Sequence, residues 1–200
     1  MKINVRLEKE SDYLKVEQIT RAAFNDPGRV RRGKIGCPYE HWMVHELRKR
    51  DGIPALSLVA QLEGGTLVGH IICSNAFVKN EARVLPVLNF GPLSVCPEYQ
   101  RRGVGKALVR TMIGQAKELG YGAILFFGRP EYYPQFGFKE AAAYGISDSE
   151  GNHPPALMAM ELVEGYLSDI RGGMFFQSDI YADELNQEKV QAFDRNFIVE

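Results

Sequence analysis

What the chain has little of already narrows its function. Its 200 residues include three cysteines, Cys37, Cys73 and Cys96, far apart and with no C-x-x-C pair. Neither a zinc knuckle nor a thioredoxin-type dithiol is available. The thiols read as small packing residues of a reduced, cytoplasmic protein. Neither sign of charge is in excess, because 24 basic and 25 acidic residues leave a net charge of −1. A nucleic-acid binder needs a basic surplus, so no nucleic-acid partner is expected. No apolar run approaches the ~20 residues that span a bilayer. Met1-Lys2-Ile3-Asn4-Val5-Arg6 breaks its apolar residues with charge and does not read as a signal peptide, so no membrane partner is expected either. There is no internal repeat and no low-complexity tract. With 45% hydrophobic residues the composition is that of a folded chain, and the length predicts one domain with an elaborated end.

The periodicities predict a mixture of strands and helices. Residues 3–7 alternate as a half-buried strand does. Ser11-Asp12 offers a cap for a helix running to Phe24, and a second helix covers 39–50. Between them, 25–36 is a loop with a basic cluster of Arg29, Arg31, Arg32 and Lys34. Strands at 56–62 and 66–78 flank Glu63-Gly64-Gly65, a hairpin signal, and 84–95 is a further strand. A helix over 103–119 presents Leu108, Met112, Gln115 and Leu119 on one face and stops at Gly120 in the C′ position. Residues 123–127 form a continuous apolar strand, of the kind buried on both faces. Strand, glycine turn, helix and buried strand make a unit with parallel pairing. A short helix at 132–136, strands at 157–163 and 174–176 and a helical tail at 183–197 complete the prediction.

The informative segment is Gln100-Arg101-Arg102-Gly103-Val104-Gly105-Lys106-Ala107, where a strand ends and a helix begins. The first turn of a helix carries unpaired N–H groups and partial positive charge. Glycines let its backbone approach a phosphate closely, so a phosphate-bearing ligand is expected. A P-loop would need Gly where Gln100 stands and Ser or Thr where Ala107 stands. The dinucleotide fingerprint would need Gly at Leu108.

Gln100 to Ala107 resembles the Q/R-x-x-G-x-G/A signature of the GNAT superfamily of acyl-CoA-dependent N-acetyltransferases. The resemblance extends upstream through Gly91-Pro92-Leu93-Ser94-Val95-Cys96-Pro97-Glu98-Tyr99 and downstream through Gly128-Arg129-Pro130-Glu131-Tyr132-Tyr133-Pro134-Gln135-Phe136-Gly137-Phe138. Ser57-Leu58-Val59-Ala60 and Val68-Gly69-His70-Ile71 match its second and third strands. It covers about 3–165 and is similar to an uncharacterised bacterial branch. It implies an α/β (α+β) fold: a mixed, mostly antiparallel sheet, parallel fourth and fifth strands that splay apart, and helices on both faces. Residues 1–165 would be the N-acetyltransferase domain and 166–200 a strand and helical extension, with the late strands and tail free to pair across a homodimer. The implied cosubstrate is acetyl-CoA, with no metal. The implied partners are coenzyme A and a small amine or peptide amine. The N–H groups of Arg101, Arg102, Gly103, Val104, Gly105 and Lys106, after Gln100, would hold the pyrophosphate. Leu93, Ser94 and Val95 would pair with pantetheine as an added strand, and Phe127, Gly128, Tyr133 and Phe136 would complete the site.

The implied chemistry makes demands of its own. An alkylamine of pKa near 10 is only about one part in a thousand neutral at pH 7, a cost of roughly 4 kcal/mol. The leaving thiolate needs a proton. Tyr133 stands in the family's Y-x-x-x-G-F segment as its general acid, since a phenol is neutral at pH 7 and can donate. Glu46, His41, His45, His70 and Glu131 are the candidates for the base. His41 and His45 share a face at i, i+4, but Trp42 breaks the H-E-x-x-H pattern, so a solvated or substrate-lining face is expected there rather than a metal. The alternative is a non-catalytic acyl-CoA-binding module on the same fold, which would bind coenzyme A and release no thiol with any amine.

Overall fold

β1 (Ile3–Leu7) forms where the alternation places it. A 3₁₀ turn (Glu10–Asp12) then leads into α1 (Tyr13–Phe24). Asp12 does not cap α1 with its side chain as expected. Its carboxylate instead takes the Lys9 N–H at 2.9 Å and the Arg6 guanidinium at 2.6 Å. After α2 (Glu40–Lys49) come β2 (Gly52–Leu62) and β3 (Leu67–Lys79), joined by Gly64 and Gly65 at φ +94° and +92°, conformations open to glycine. β4 (Val84–Val95), α3 (Val104–Glu118) and β5 (Ala123–Phe127) follow, then the short β6 (Lys139–Glu140), β7 (Leu157–Glu161), β8 (Met174–Phe176) and α4 (Asp183–Asp194). β6 escaped the pattern because two residues carry no period. The structure is a computed structural model and describes residues 1–26, 28 and 36–197. The basic cluster of Arg29, Arg31, Arg32 and Lys34 lies outside the described residues.

The strands follow the hydrogen-bonded order β1-β2-β3-β4-β5-β7-β6, with β8 added to β3. β4 and β5 are parallel, with Leu88 opposite Ile124, whereas β1–β2, β5–β7, β6–β7 and β3–β8 are antiparallel. The sheet is therefore mixed, as the resemblance implied. α3 turns Val104, Leu108, Val109, Met112 and Ala116 inward. Leu119 was placed on that face but is 52% exposed, because the helix ends at Glu118 and Gly120 (φ +81°) turns the chain away.

The chain divides into two compact units. The first comprises Met1–Ile72, Pro92–Leu108 and Asp179–Glu200. In it α1 packs on α2, and Trp42, Leu47, Ile72, Ile180 and Val190 share one apolar cluster. Beneath α1 and α2 lies a buried polar network. Arg48 donates to Glu17 at 2.7 Å and to Glu8 at 2.5 Å, while Glu8 accepts from Ser57 at 2.7 Å and stands 3.5 Å from His70. The second unit comprises Cys73–Gly91 and Val109–Ser178. Its core gathers Ala76, Val78, Val87, Leu125, Leu157, Ala159 and Phe175.

Burial works to raise the Glu8 carboxyl, but hydrogen bonds and charge from His70 and Arg48 outweigh it and hold the group at about 2. The folded value lies below the ordinary 4.5. Glu8 therefore supports the fold fully above that pH, and the support is lost as pH falls toward 2. Glu8→Gln leaves Arg48 short of one partner and should cost about 3 kcal/mol at neutral pH. Urea unfolding of both proteins, repeated across the acid range, should show the gap narrowing between pH 4.5 and 2.

Candidate active site

In the first unit β4 ends at Val95, and the turn that follows is closed by local bonds. Tyr99 N–H donates to the Cys96 carbonyl at 2.8 Å, and the Gln100 side-chain amide donates to the Val95 carbonyl at 3.2 Å. Arg101 has φ +58° and is the one non-glycine residue in that region among the described residues. A left-handed L-residue costs free energy, and such strain persists where the surroundings impose it. Gly103 follows at φ +89°, with nothing within 4 Å of where a Cβ would project. The first bond into α3 runs from Ala107 N–H to the Gly103 carbonyl at 3.0 Å. The N–H groups of 104–106 precede it and have no intrahelical acceptor. Arg101, Arg102 and Lys106 are exposed around this end, and the Arg102 guanidinium lies 5.8 Å from the Tyr99 ring centre. The expected anion cradle is thus open and positively charged.

Leu93 and Val95 are half-buried on β4. Ser94 points inward, fully buried, with its hydroxyl 2.9 Å from that of Thr20 on α1. Gly69 on β3 makes room for this arrangement, since a Cβ there would come within 2.9 Å of both the Ser94 carbonyl and the Val104 side chain.

In the second unit, Tyr133 opens a 3₁₀ turn (Tyr133–Phe136) after β5. Its ring meets Phe126 edge-on at 4.6 Å and Phe90 at 5.7 Å, and Phe138 lies 6.0 Å away. Burial pushes its phenol well above the ordinary value, with Tyr132 adding to the effect. The group is therefore neutral at any physiological pH, and no protein partner holds its hydroxyl among the described residues. Gly128 is needed for packing: a Cβ would fall 2.4 Å from Phe126 Cε2 and 2.6 Å from Tyr133 Cε2. Phe136 is half-buried, 6.3 Å from the Tyr133 ring, while Phe127 exposes 45% of itself on the opposite face of β5.

The base candidates divide sharply. His41, expected on a solvated or substrate-lining face, is fully buried between Phe193 and Phe197 and lies 3.1 Å from Asp194, which Arg21 also holds at 2.6 Å. That burial pushes its imidazole down to about 4. The reason for the miss is α4, which covers this face of α2 and whose distance in sequence hides the contact. His45 is bonded to Glu17 at 3.0 Å, and Glu46 pairs with Lys49 at 3.0 Å. His70 lies fully buried beside Ser57, 3.1 Å away. Glu131 is exposed. No set of three or more His, Cys, Asp or Glu residues able to hold a metal occurs among the described residues, and no helix there is long and apolar enough to cross a membrane. One feature escaped the sequence reading, a buried amide pair in which Asn89 Nδ2 donates to Gln177 Oε1 at 2.8 Å. Its signal was the Asn inside the apolar run Val87-Leu88-Asn89-Phe90.

The parallel pair of this mixed sheet is joined through a glycine turn and a helix. The profile described as Acetyltransferase (GNAT) family matches residues 19–138, and the chain belongs to that family. Its relatives include two proteins of Escherichia coli K12. The uncharacterized N-acetyltransferase YjhQ is 42% identical over 89 residues, 44% of this chain and 49% of that protein, so the match spans about half of YjhQ. The uncharacterized N-acetyltransferase YhbS is 30% identical over 130 residues, 65% of this chain and 76% of YhbS. The crystal structure of E. coli YhbS in complex with CoA superposes with a TM-score of 0.77 at 22% identity, covering 91% of this chain and 93% of that one. A GNAT family acetyltransferase from Brucella melitensis in complex with acetyl-CoA gives 0.66 at 23% identity, covering 90% and 98%. At such identities the two structures show the fold alone.

Gly128→Ala should displace the Tyr133 ring and cost about 1–3 kcal/mol, the usual range for overpacking. Thermal unfolding measures the loss. Near-ultraviolet dichroism should change with it, and a spectrum and melting point identical to wild type would overturn the packing role.

Proposed function

We propose that the protein transfers an acetyl group from acetyl-CoA to a primary amine by direct attack of the amine on the thioester. The observation that carries this reading is the open, left-handed turn at Gly103 at the start of α3, in a chain of the GNAT family. The backbone N–H groups of 101–106 hold the pyrophosphate, and Gln100 braces the turn from behind. Main-chain groups of Leu93, Ser94 and Val95 pair with pantetheine, and an N–H among them polarises the thioester carbonyl. Phe127 and Gly128 contribute main chain and Phe136 an apolar wall. Tyr133, assigned by the motif in which it stands, gives its proton to the departing sulfur. Its neutrality and unclaimed hydroxyl support that role. Residues 1–165 form the catalytic domain, and 166–200 form an extension to it. The CoA complexes of the two superposed proteins support the choice of cosubstrate.

Three variants test this reading. Gly103→Glu places strain and a negative charge at the pyrophosphate position and should abolish coenzyme A binding in calorimetric titration. Gly103→Ala imposes the strain alone, about 1 kcal/mol, and should retain most of the affinity. Unchanged affinity in a folded Gly103→Glu protein would sink the cradle assignment. Tyr133→Phe keeps the ring and removes the proton donor. Its kcat should fall by about 10²- to 10⁴-fold, while the KM for acetyl-CoA moves little. Donors with a more acidic leaving thiol should lose less. Full turnover with an ordinary donor would make Tyr133 a packing residue.

A further inference from the structure

The parallel pair β4–β5 bears different chemistry on its two faces. Leu88 and Phe90 turn to the face of Phe126 and Tyr133, as the ring contacts show. Val87 and Asn89 turn to the other face, with Leu125 and Phe175. There Asn89 is only 1% exposed, yet a single hydrogen bond engages it, from its Nδ2 to Gln177 Oε1 at 2.8 Å. No hydrogen bond to its Oδ1 occurs among the described residues. Beyond Asn89, on the same face, the Phe127 ring lies 6.2 Å from Phe175 and is 45% exposed. An oriented acceptor and an open aromatic ring therefore share one face of the parallel pair, where the two strands run on past their pairing at Leu88 and Ile124.

We propose that Asn89 Oδ1 accepts a hydrogen bond from the amine substrate, with Gln177 as its positioning residue and Phe127 as the wall for an uncharged, apolar amine body. This rests on the acetyl-transfer reading and names its acceptor side. As the bond from nitrogen to the acyl carbon forms and the carbon–sulfur bond breaks, the nitrogen becomes positive. Its N–H bond to Asn89 strengthens at that moment, which lowers the barrier more than it tightens the ground state. The surplus proton leaves to solvent, and the sulfur takes the Tyr133 proton. An aromatic wall with two neutral amides suits arylalkyl- and alkylamines better than amines bearing a carboxylate. Gln177 gives a role to the segment beyond 165.

The experiment is steady-state kinetics with an amine panel, run with thiol detection beside coenzyme A calorimetry and melting curves. Asn89→Leu should lower kcat by about 10²-fold, and Gln177→Leu by about tenfold, since it frees rather than removes the amide. Neither should change the KM for acetyl-CoA or coenzyme A binding. Phe127→Ala should raise the amine KM about tenfold. If Asn89→Leu does not fold, Gln177→Leu decides, because it lies outside the strands. Full turnover in folded variants, a loss of melting temperature without a loss of kcat, or a preference for carboxylate-bearing amines overturns this assignment and leaves the acetyl-transfer reading standing. Failure of the wild type to release thiol with any amine of the panel, despite acetyl-CoA binding, overturns both.

Discussion

Two parallel strands cannot be joined by a tight turn, so the chain between them must make a long crossing, here through a helix. Placing β4 and β5 side by side in parallel therefore forces a helix to begin just after β4 ends. The unpaired N–H groups of that helix gather at the strand's carboxyl end. Arg101 and Gly103, both with positive φ, are what it takes to turn the chain from strand to helix within a few residues. The left-handed turn at the start of α3 is thus a consequence of topology, and Gly103 sits where the backbone stays bare.

The first unit is held by buried charge to an unusual degree. Arg48 joins Glu8 and Glu17 beneath α1 and α2, and Asp194 of α4 receives Arg21 and lies beside His41. Such networks gain little over well-packed apolar side chains, but breaking one leaves a charge without its partner. They fix which helix faces meet, because a slipped packing would strand a carboxylate. Two histidines that looked available for catalysis, His41 and His70, are spent in this way. The second unit is built differently, on rings packed edge-on about Tyr133 on one face of β5 and on mainly aliphatic side chains on the other.

Much of this was written locally. The alternation of 3–7, the glycines of the 62–66 hairpin, the apolar run of 123–127 and the stop at Gly120 each depend on neighbours within a few residues, and each appears where the periodicity put it. The turn at 100–106 was legible because the spacing of Gly103 and Gly105 marks the passage from strand to helix. The face of α3 was misjudged at Leu119 because the helix ends one residue earlier. Asp12 missed its cap because Arg6 and Lys9, brought close by the turn between β1 and α1, claimed its carboxylate.

The sequence by itself determined the mixed sheet, the parallel crossover, the glycine turn into α3 and the tyrosine that follows β5, since all of these follow from short-range pattern and from motif residues in order. Only the tertiary structure decided which polar side chains are buried or oriented. His41 is buried by a helix more than 140 residues away, and Asn89 is oriented by Gln177, 88 residues on. Contacts of that kind depend on how strands and helices are brought together in space, and nothing in the local spacing of residues records it.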